Sequence, residues 1–460
     1  MTNQIEKNFL RLSEQLSGGL SRPGDDRYAS ATATWAKQVG AMPRAVAHCR
    51  TTQDVQQAIR AARESDLPLS VRGGGHDWAG RALCDGIVID LSELNGVAVD
   101  TDRRAARISG GARASEVLAV TDPLGLAAVT GSCGGVGIAG FALGGGYGPL
   151  IGRFGLGLDN LLAADIVLAD GRIVTAGDES DQELIWALRG GGGNFGVVTE
   201  MRYRLHELPG IRCGVLLFPF AEARTVLEAG AHIVARAPDE LTVQFGLVSG
   251  PDGAPAVMVV PTWSGLPEQG EVRLAPFFQL GTPLVGTAEA MPCGGRLAML
   301  DAFVVYGQRV HMETAWLPTL DSRSIDALVE AMAAAVSPGC MILTHELRGA
   351  AARVPENATA FGLRRNHVLV EILASFPDRS DPQDEPRHRR WAQATLWALG
   401  DAALPGGYPN LLTRNDPERA AKSYGGNAGR LIQAKRQYDP DNVFRSAIPL
   451  PTGRQPLAAE

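Results

Sequence analysis

His76 and Cys133 are the two residues of this 460-residue chain whose neighbours mark them as candidate nucleophiles. His76 closes the run Arg72-Gly73-Gly74-Gly75-His76. Cys133 opens "TGSCGGVGIAGFALGGGYG", Thr130 to Gly148, where nine of nineteen residues are glycine. A neutral imidazole and a thiolate both form covalent bonds as nucleophiles. The ordinary alternatives are a hydrogen-bonded loop histidine and a small buried cysteine. A third candidate is Glu371 in "HVLVEILASF", which by period-two alternation shares a strand face with His367, Leu369 and Leu373. A carboxylate on an apolar face is unusual, and burial raises its pKa towards that of a working base. An edge glutamate facing water is the alternative. Tyr306 in "AFVVYGQ" and His345 in "MILTHEL" are weaker candidates for acid–base work, with core or surface duty as the alternative.

Glycine loses more backbone freedom on folding than any other residue, so a run this rich needs a reason. Gly135 to Gly140 spells G-x-G-x-x-G, the dinucleotide fingerprint, which requires a strand before it and a helix after it. The helix is expected to fail. Gly144, Gly145 and Gly146 in a row would cost it about 3 kcal/mol relative to alanine. No Gly-Lys-Ser/Thr follows, which excludes a P-loop. The predicted form is an extended loop whose bare N–H groups press against a large ligand. "VRGGGHD" and "RGGGGNFGVV" offer the same surface from elsewhere. Three such clusters predict one long cofactor, its pyrophosphate held by backbone donors. On this reading Arg72, Gly73, Gly74 and Gly75 line the cofactor from the first cluster. Ser132, Gly137 and Gly140 line it from the second, and Asn194, Gly196 and Val198 from the third.

The surrounding elements read as α+β. "AVAHC" and "LPLSV" are strands flanking a helix over "DVQQAIRAARES", capped by Thr51 or Thr52, with Val55, Ala58, Ile59 and Ala62 on one face. "LLAADIVLADGRIVTA" is a hairpin around Asp170-Gly171. A helix, a glycine turn and a strand follow, ending near residue 206. From 207 to about 400, strand-like runs alternate with alanine-rich helices, which predicts an antiparallel sheet with helices on one face. The tail is a helix ending at Asp439-Pro440-Asp441-Asn442.

Four motifs occur in order along nearly the whole chain: "RGGGHD", C-x-x-V-G-x-x-G-x-x-x-G-G-G-Y-G, "RGGGGNFGVVTE" and "YGGNAGRLIQAKRQYDPDNVF". Together they resemble the FAD-linked oxidases of the berberine-bridge-enzyme type, within the vanillyl-alcohol-oxidase family. The resemblance implies a two-part FAD-binding domain, residues 1–206 and 406–460, around a substrate-binding domain, residues 207–405, with an antiparallel sheet covered by helices. It implies FAD bonded through its 8α carbon to His76 and through C6 to Cys133. The expected reaction moves a hydride from an alcohol or amine carbon of a small or medium organic substrate to flavin N5, with O2 reoxidising the flavin to give H2O2. A dehydrogenase using another acceptor and a non-catalytic flavin-binding protein are the alternatives. Val136, three residues beyond the cysteine, matches the family position that gates oxygen. Glu371 matches a family carboxylate on a central strand.

One departure concerns the base. Where many members read Y-x-N-Y, this chain reads Tyr408-Pro409-Asn410-Leu411, and Leu411 cannot accept a proton. Tyr408 and Asn410 match the flavin contacts of that motif. Tyr424 and Asn427 match the tail that packs back on the FAD domain. Amine oxidation starting from the neutral amine, with no base, is a further possibility.

Composition bounds the rest. With 45% apolar and 20% charged residues and a net charge of −7, the chain reads as an ordinary globular protein without the basic patch that nucleic acid or anionic membranes require. No apolar run reaches membrane length, no signal peptide is evident, and the six scattered cysteines form no C-x-x-C pair. A cytoplasmic protein with free thiols and no metal site is expected.

Overall fold

Thr51 starts the first helix in the manner its sequence requires. Its hydroxyl accepts from the Asp54 N–H at 3.1 Å while the Asp54 carboxylate accepts from the Thr51 N–H at 2.9 Å. The helix Thr52–Glu64 buries Val55, Ala58, Ile59 and Ala62 and connects two parallel strands, Ala45–His48 and Leu69–Arg72. Between them lies Ile87–Asp90, parallel to both, and Leu20–Ser21 closes the other edge. This computed structural model describes residues 2–38, 40–378, 381, 383–413 and 416–451. The end of the expected 406–460 segment, 452–460, lies outside the described residues.

A second sheet is antiparallel. Its strands run in the order Val97–Asp100, Ala105–Ser109, Val197–Glu207, Leu161–Val167 and Ile173–Gly177, with Leu126–Ala128 paired to the far end of Val197–Glu207. The predicted hairpin is the pair Leu161–Val167 and Ile173–Gly177. A third sheet of seven strands follows, all antiparallel, in the order Val285–Met291, Ile211–Pro219, Pro255–Trp263, Leu241–Ser249, Cys340–Leu347, His367–Phe376 and Arg309–Leu317. The helices Ala223–Val234, Ser322–Ala333 and Asp384–Ala398 cover one face.

Alternation along His367–Phe376 decides what each face does. Val368, Val370, Ile372 and Ala374 enter the core beneath the helices. Leu369 joins the core of the glycine-rich half, and Leu373 packs with Trp78 and Met312. Glu371 therefore points towards the glycine loops and not towards the helices.

The tail returns to the N-terminal half. Lys435 donates to the Asn194 carbonyl at 2.8 Å, and the Tyr438 hydroxyl donates at 2.6 Å to Asp181, the cap of helix Gln182–Gly191. Among the described residues no helix is long and apolar enough to cross a membrane.

The loop expected to be extended throughout contains a helix, Ile138–Gly144. Only Gly140 sits in its interior, while Ile138, Ala139, Phe141, Ala142 and Leu143 are buried helix-compatible residues. The glycine run ends it, as Gly145 (φ +149°) and Gly146 (φ +96°) take backbone conformations that side chains disfavour. The cost reckoned for three consecutive glycines is avoided because the helix stops at the first of them.

Candidate active site

The strand Leu69–Arg72 delivers the Gly73–His76 turn, and a buried charge chain fixes its start. Arg72 Nη1 donates to Asp90 at 2.9 Å and Nη2 to the Ala33 carbonyl at 3.1 Å. Asp90 also faces His48 Nδ1 at 3.4 Å, and His48 Nε2 meets the Ser21 hydroxyl at 2.8 Å. Burial pushes the Asp90 carboxyl up, but His48 and Arg72 outweigh this and hold it below the usual range.

This turn lies directly against the loop after Cys133. A Cβ on Gly137 would sit 2.6 Å from the Gly74 nitrogen, and one on Gly74 would strike the Gly137 backbone in return. These two glycines let the two backbones touch. Other glycines make room for protein as well. A Cβ on Gly145 would lie 2.6 Å from the Tyr408 ring, one on Gly144 would overlap the Asn410 amide, and one on Gly196 would meet Ile166 at 2.6 Å. The Tyr408 hydroxyl accepts from the Gly146 N–H at 2.8 Å, and Asn410 Nδ2 donates to the Gly140 carbonyl at 3.2 Å. Tyr408 and Asn410 thus clamp the glycine helix. Gly140 is different: a Cβ there would meet nothing within 4 Å.

His76 stacks on Trp35, ring centroids 4.6 Å apart and planes 10° from parallel. Its Nδ1 is buried without a hydrogen-bond partner. Burial drives the imidazole pKa down to about 4, against the opposing charges of Glu371 and Asp77, so the ring is neutral at neutral pH.

Cys133 rests on the helix Cys293–Asp301. The Asp301 carboxylate accepts from the Gly134 N–H at 2.9 Å, and Arg296 reaches the Ser132 hydroxyl at 3.4 Å. Burial pushes the Cys133 thiol up to about 12, Asp301 and Glu371 add to this, and Arg296 opposes it. The Tyr306 hydroxyl lies over Gly135 from an exposed segment, and burial, Cys133 and Asp301 raise its pKa. Val136 is half-buried, its N–H donating to the Cys133 carbonyl at 3.3 Å.

Glu371 completes the group. Its strand neighbours are Thr314 and Leu343, and its carboxylate lies 3.4 Å from His345 Nε2, which Gln244 Nε2 approaches at 3.3 Å. Its negative charge favours the protonated forms of His76, Cys133 and Tyr408, which puts all three within its electrostatic reach. Leu411 is a partly buried apolar group packed on the cluster of Trp78 and Leu373.

Other expected cofactor residues sit in protein contacts. Asn194 Nδ2 donates to the carbonyls of Gly191 and Ile448, at 2.8 and 2.9 Å. Val198 is buried in its strand. The Tyr424 hydroxyl donates to the Pro449 carbonyl at 3.1 Å, and Asn427 Nδ2 to the Glu356 carbonyl at 2.7 Å. Sequence reasoning missed Trp35, Asp301 and Arg296. No local pattern marks them, because each reaches the site from a distant segment.

The residues present fit a flavin. His76 Nδ1 and Arg72 Nε are buried and unpartnered, and the Cα of Gly140 faces open space. Comparison with known proteins agrees. Residues 43–177 match the family model described as FAD binding domain, and residues 400–451 the one described as berberine and berberine like. The FAD-linked oxidoreductase aurO of Gibberella zeae is 30% identical over 432 residues, covering 91% of this chain and 82% of that protein. The (R)-6-hydroxynicotine oxidase of Paenarthrobacter nicotinovorans is 40% identical over 195 residues, 42% of this chain and 43% of that protein. The crystal structure of 6-hydroxy-D-nicotine oxidase from Arthrobacter nicotinovorans superposes with a TM-score of 0.83 at 29% identity, covering 94% of this chain and 97% of that one. Physcomitrella patens BBE-like 1 shares the fold, with a TM-score of 0.86 at 22% identity over 97% and 99% of the two chains. The chain belongs to the berberine-bridge-enzyme-like family of FAD-linked oxidoreductases, and is an FAD-dependent enzyme.

Proposed function

We propose that the protein is an oxidase of small or medium organic alcohols or amines, using O2 and releasing H2O2. Residues 1–206 and 406–460 form its FAD-binding part and 207–405 its substrate-binding part. The observation that carries this reading is that the turn bearing His76 and the loop after Cys133 touch at Gly74 and Gly137, with Glu371 on the sheet face turned to them. Bound between them, FAD supplies the two-electron acceptor for a substrate C–H bond.

His76 would hold the 8α carbon, and Nδ1, the atom without a protein partner, is the nitrogen free to do so. Its depressed pKa keeps the ring neutral, with one nitrogen lone pair free to form the bond. Cys133 would hold C6 through Sγ. Arg72, Gly73, Gly74, Gly75, Ser132, Gly137 and Gly140 present their backbones to the cofactor. Asn194, Gly196, Val198, Tyr408, Asn410, Tyr424 and Asn427 fix the walls behind those loops. Glu371 takes the proton from the substrate O–H or N–H, oriented by His345 at 3.4 Å. Tyr306 offers a hydroxyl from the exposed rim, and Val136 sets access for oxygen beside Cys133.

The test is an absorption spectrum of the purified protein, followed by acid precipitation. Flavin retained in the pellet, and lost only in the double variant His76→Ala, Cys133→Ala, is expected. Flavin released freely from the unaltered protein overturns the attachment. Bleaching by candidate alcohols and amines without air, with peroxide formed on admitting air, is the expected activity. Bleaching without peroxide would make the enzyme a dehydrogenase.

A further inference from the structure

The seven-stranded sheet has two edges, and the protein treats them differently. At Arg309–Leu317 the returning chain covers the edge: the Leu404 N–H donates to the Trp316 carbonyl at 2.7 Å, and the Tyr408 N–H to Thr314 Oγ1 at 3.3 Å. At the other edge, Val285–Met291 pairs with Ile211–Pro219, and among the described residues no strand pairs with its outer side. Such an edge presents a row of free N–H and C=O groups, which proteins ordinarily blunt with lysine, proline, a bulge or a covering segment. The strand Val-Gly-Thr-Ala-Glu-Ala-Met carries one charge, Glu289, and no proline. It pairs with Ile211–Leu217 without a break in register.

Both faces of this edge suit a copy of itself. Ala288 packs towards the helix-covered core and Met291 towards the glycine-rich half. By alternation, Gly286, Ala288 and Ala290 share the helix face, and Val285, Thr287, Glu289 and Met291 the other. An antiparallel copy centred on Ala288 sets Thr287 opposite Glu289 and Val285 opposite Met291, each twice. On the helix face Gly286, Ala288 and Ala290 meet, and all are small enough for close pairing. The Thr287 hydroxyl can donate to the facing Glu289 carboxylate, and no like charges oppose each other. Centring on Glu289 instead would set two carboxylates face to face. Exposed apolar side chains complete the match. Leu284 and Val285, 60% and 46% exposed, stand at one end of the strand. Val272, 74% exposed, belongs to the helix Gly270–Leu274, whose Gly270 abuts Arg212, the strand partner of Ala290 at the other end. A two-fold axis perpendicular to the sheet keeps the helices of both copies on one face. It also brings the Val272 end of each copy to the Leu284 end of the other.

We propose that Val285–Met291 is a self-docking surface: two copies of this chain pair antiparallel about Ala288 and join their seven-stranded sheets into one continuous sheet. The partner is a second copy because the two ends of one edge complement each other, in charge at Thr287 and Glu289 and in apolar contact at Val272 and Leu284. The backbone ladder supplies affinity, and the cross-strand pairs set the register. The pairing uses none of the residues placed in the proposed reaction site.

Sedimentation velocity of the flavin-loaded protein, from micromolar concentration upward, is the test. A reversible dimer is expected, with amide hydrogen exchange across 285–291 slowing as concentration rises. Thr287→Glu sets like charges opposite each other twice, at two exposed positions. It is expected to weaken the dimer about tenfold or more, with flavin content and the fold of each copy retained. Adding Glu289→Lys to Thr287→Glu puts opposite charges across both pairs and is expected to recover the dimer. A monomer at every concentration in the unaltered protein overturns the proposal, whatever the variants do. A dimer whose exchange at 285–291 ignores concentration, or which Thr287→Glu leaves intact, has its interface elsewhere and overturns it too. Loss in Thr287→Glu without recovery in the double variant overturns the register about Ala288.

Discussion

Trp35 lies flat on His76, ring centroids 4.6 Å apart, and its own backbone N–H donates to the Gly75 carbonyl at 2.8 Å. The indole therefore orients the imidazole and braces the turn that carries it. Removing it in the Cys133→Ala background, where His76 is the one proposed anchor left, tests this role. Trp35→Ala is expected to slow covalent attachment by about 2- to 10-fold, the value of one aromatic contact. The measurement is the time course of acid-precipitable flavin after adding FAD to cofactor-depleted protein. An unchanged rate would leave the stacking without a role in attachment.

Glycine positions separate two kinds of clearance. Gly74→Ala places a methyl against the Gly137 backbone, and the fold is expected to lose about 2 kcal/mol or more. Gly140→Ala meets no atom and sits inside a helix, so stability is expected to rise by about 0.5–1 kcal/mol. Flavin content of Gly140→Ala is nevertheless expected to fall, because the methyl would stand on the bare cradle. Melting curves and the ratio of flavin to protein absorbance report both effects. Full flavin content in Gly140→Ala would move the cofactor away from this helix.

Removal of the carboxylate tests the base. Glu371→Gln keeps shape and one acceptor but cannot take a proton. Flavin reduction by substrate is expected to slow by about 10²- to 10⁴-fold, with covalent flavin unchanged. A rate within tenfold of the unaltered enzyme would point to the route without a base, in which a neutral amine reacts directly.

Oxygen access is tested at Val136, half-buried beside Cys133. Val136→Ile is expected to slow reoxidation of the reduced enzyme by roughly tenfold, about 1.4 kcal/mol of barrier, while anaerobic reduction keeps its rate. Stopped-flow mixing with air-saturated buffer gives both numbers. Equal slowing of the two half-reactions would mean the extra methyl displaces the cofactor instead.

Acid stability follows from three histidines. Burial holds His76, His206 and His367 at about 4, against about 6.5 in an unfolded chain. Between those values the unfolded chain binds more protons, so stability rises with pH across that window and is lost as pH falls from about 6.5 towards 4. His206→Gln is expected to flatten this acid limb of the melting temperature, since the remaining side chain no longer titrates. An unchanged slope would place the acid sensitivity elsewhere.

Much of the fold was legible because local rules decide it. The capping pair Thr51 and Asp54, the apolar face of Thr52–Glu64 and the hairpin around Asp170-Gly171 each follow from a few adjacent residues. Alternation along "HVLVEILASF" already put Glu371 on the face of His367, Leu369 and Leu373, and that face is the one turned to the glycine loops. The helix Ile138–Gly144 was missed because the whole glycine run was weighed against it, whereas the chain ends the helix at the run's first residue.

The sequence by itself determined the chemistry on offer: an imidazole after three glycines, a thiol at the mouth of a glycine loop, and one carboxylate on an apolar strand. Tertiary structure decided which groups meet and in what state. Trp35, Asp301 and Arg296 come from segments far along the chain and share no spacing with His76 or Cys133, so no periodicity could announce them. Burial and neighbouring charge, which exist only once the sheets pack, leave His76 neutral and hold the Cys133 thiol protonated. Packing also divided the glycines between those that let protein touch protein and Gly140, whose face stays open.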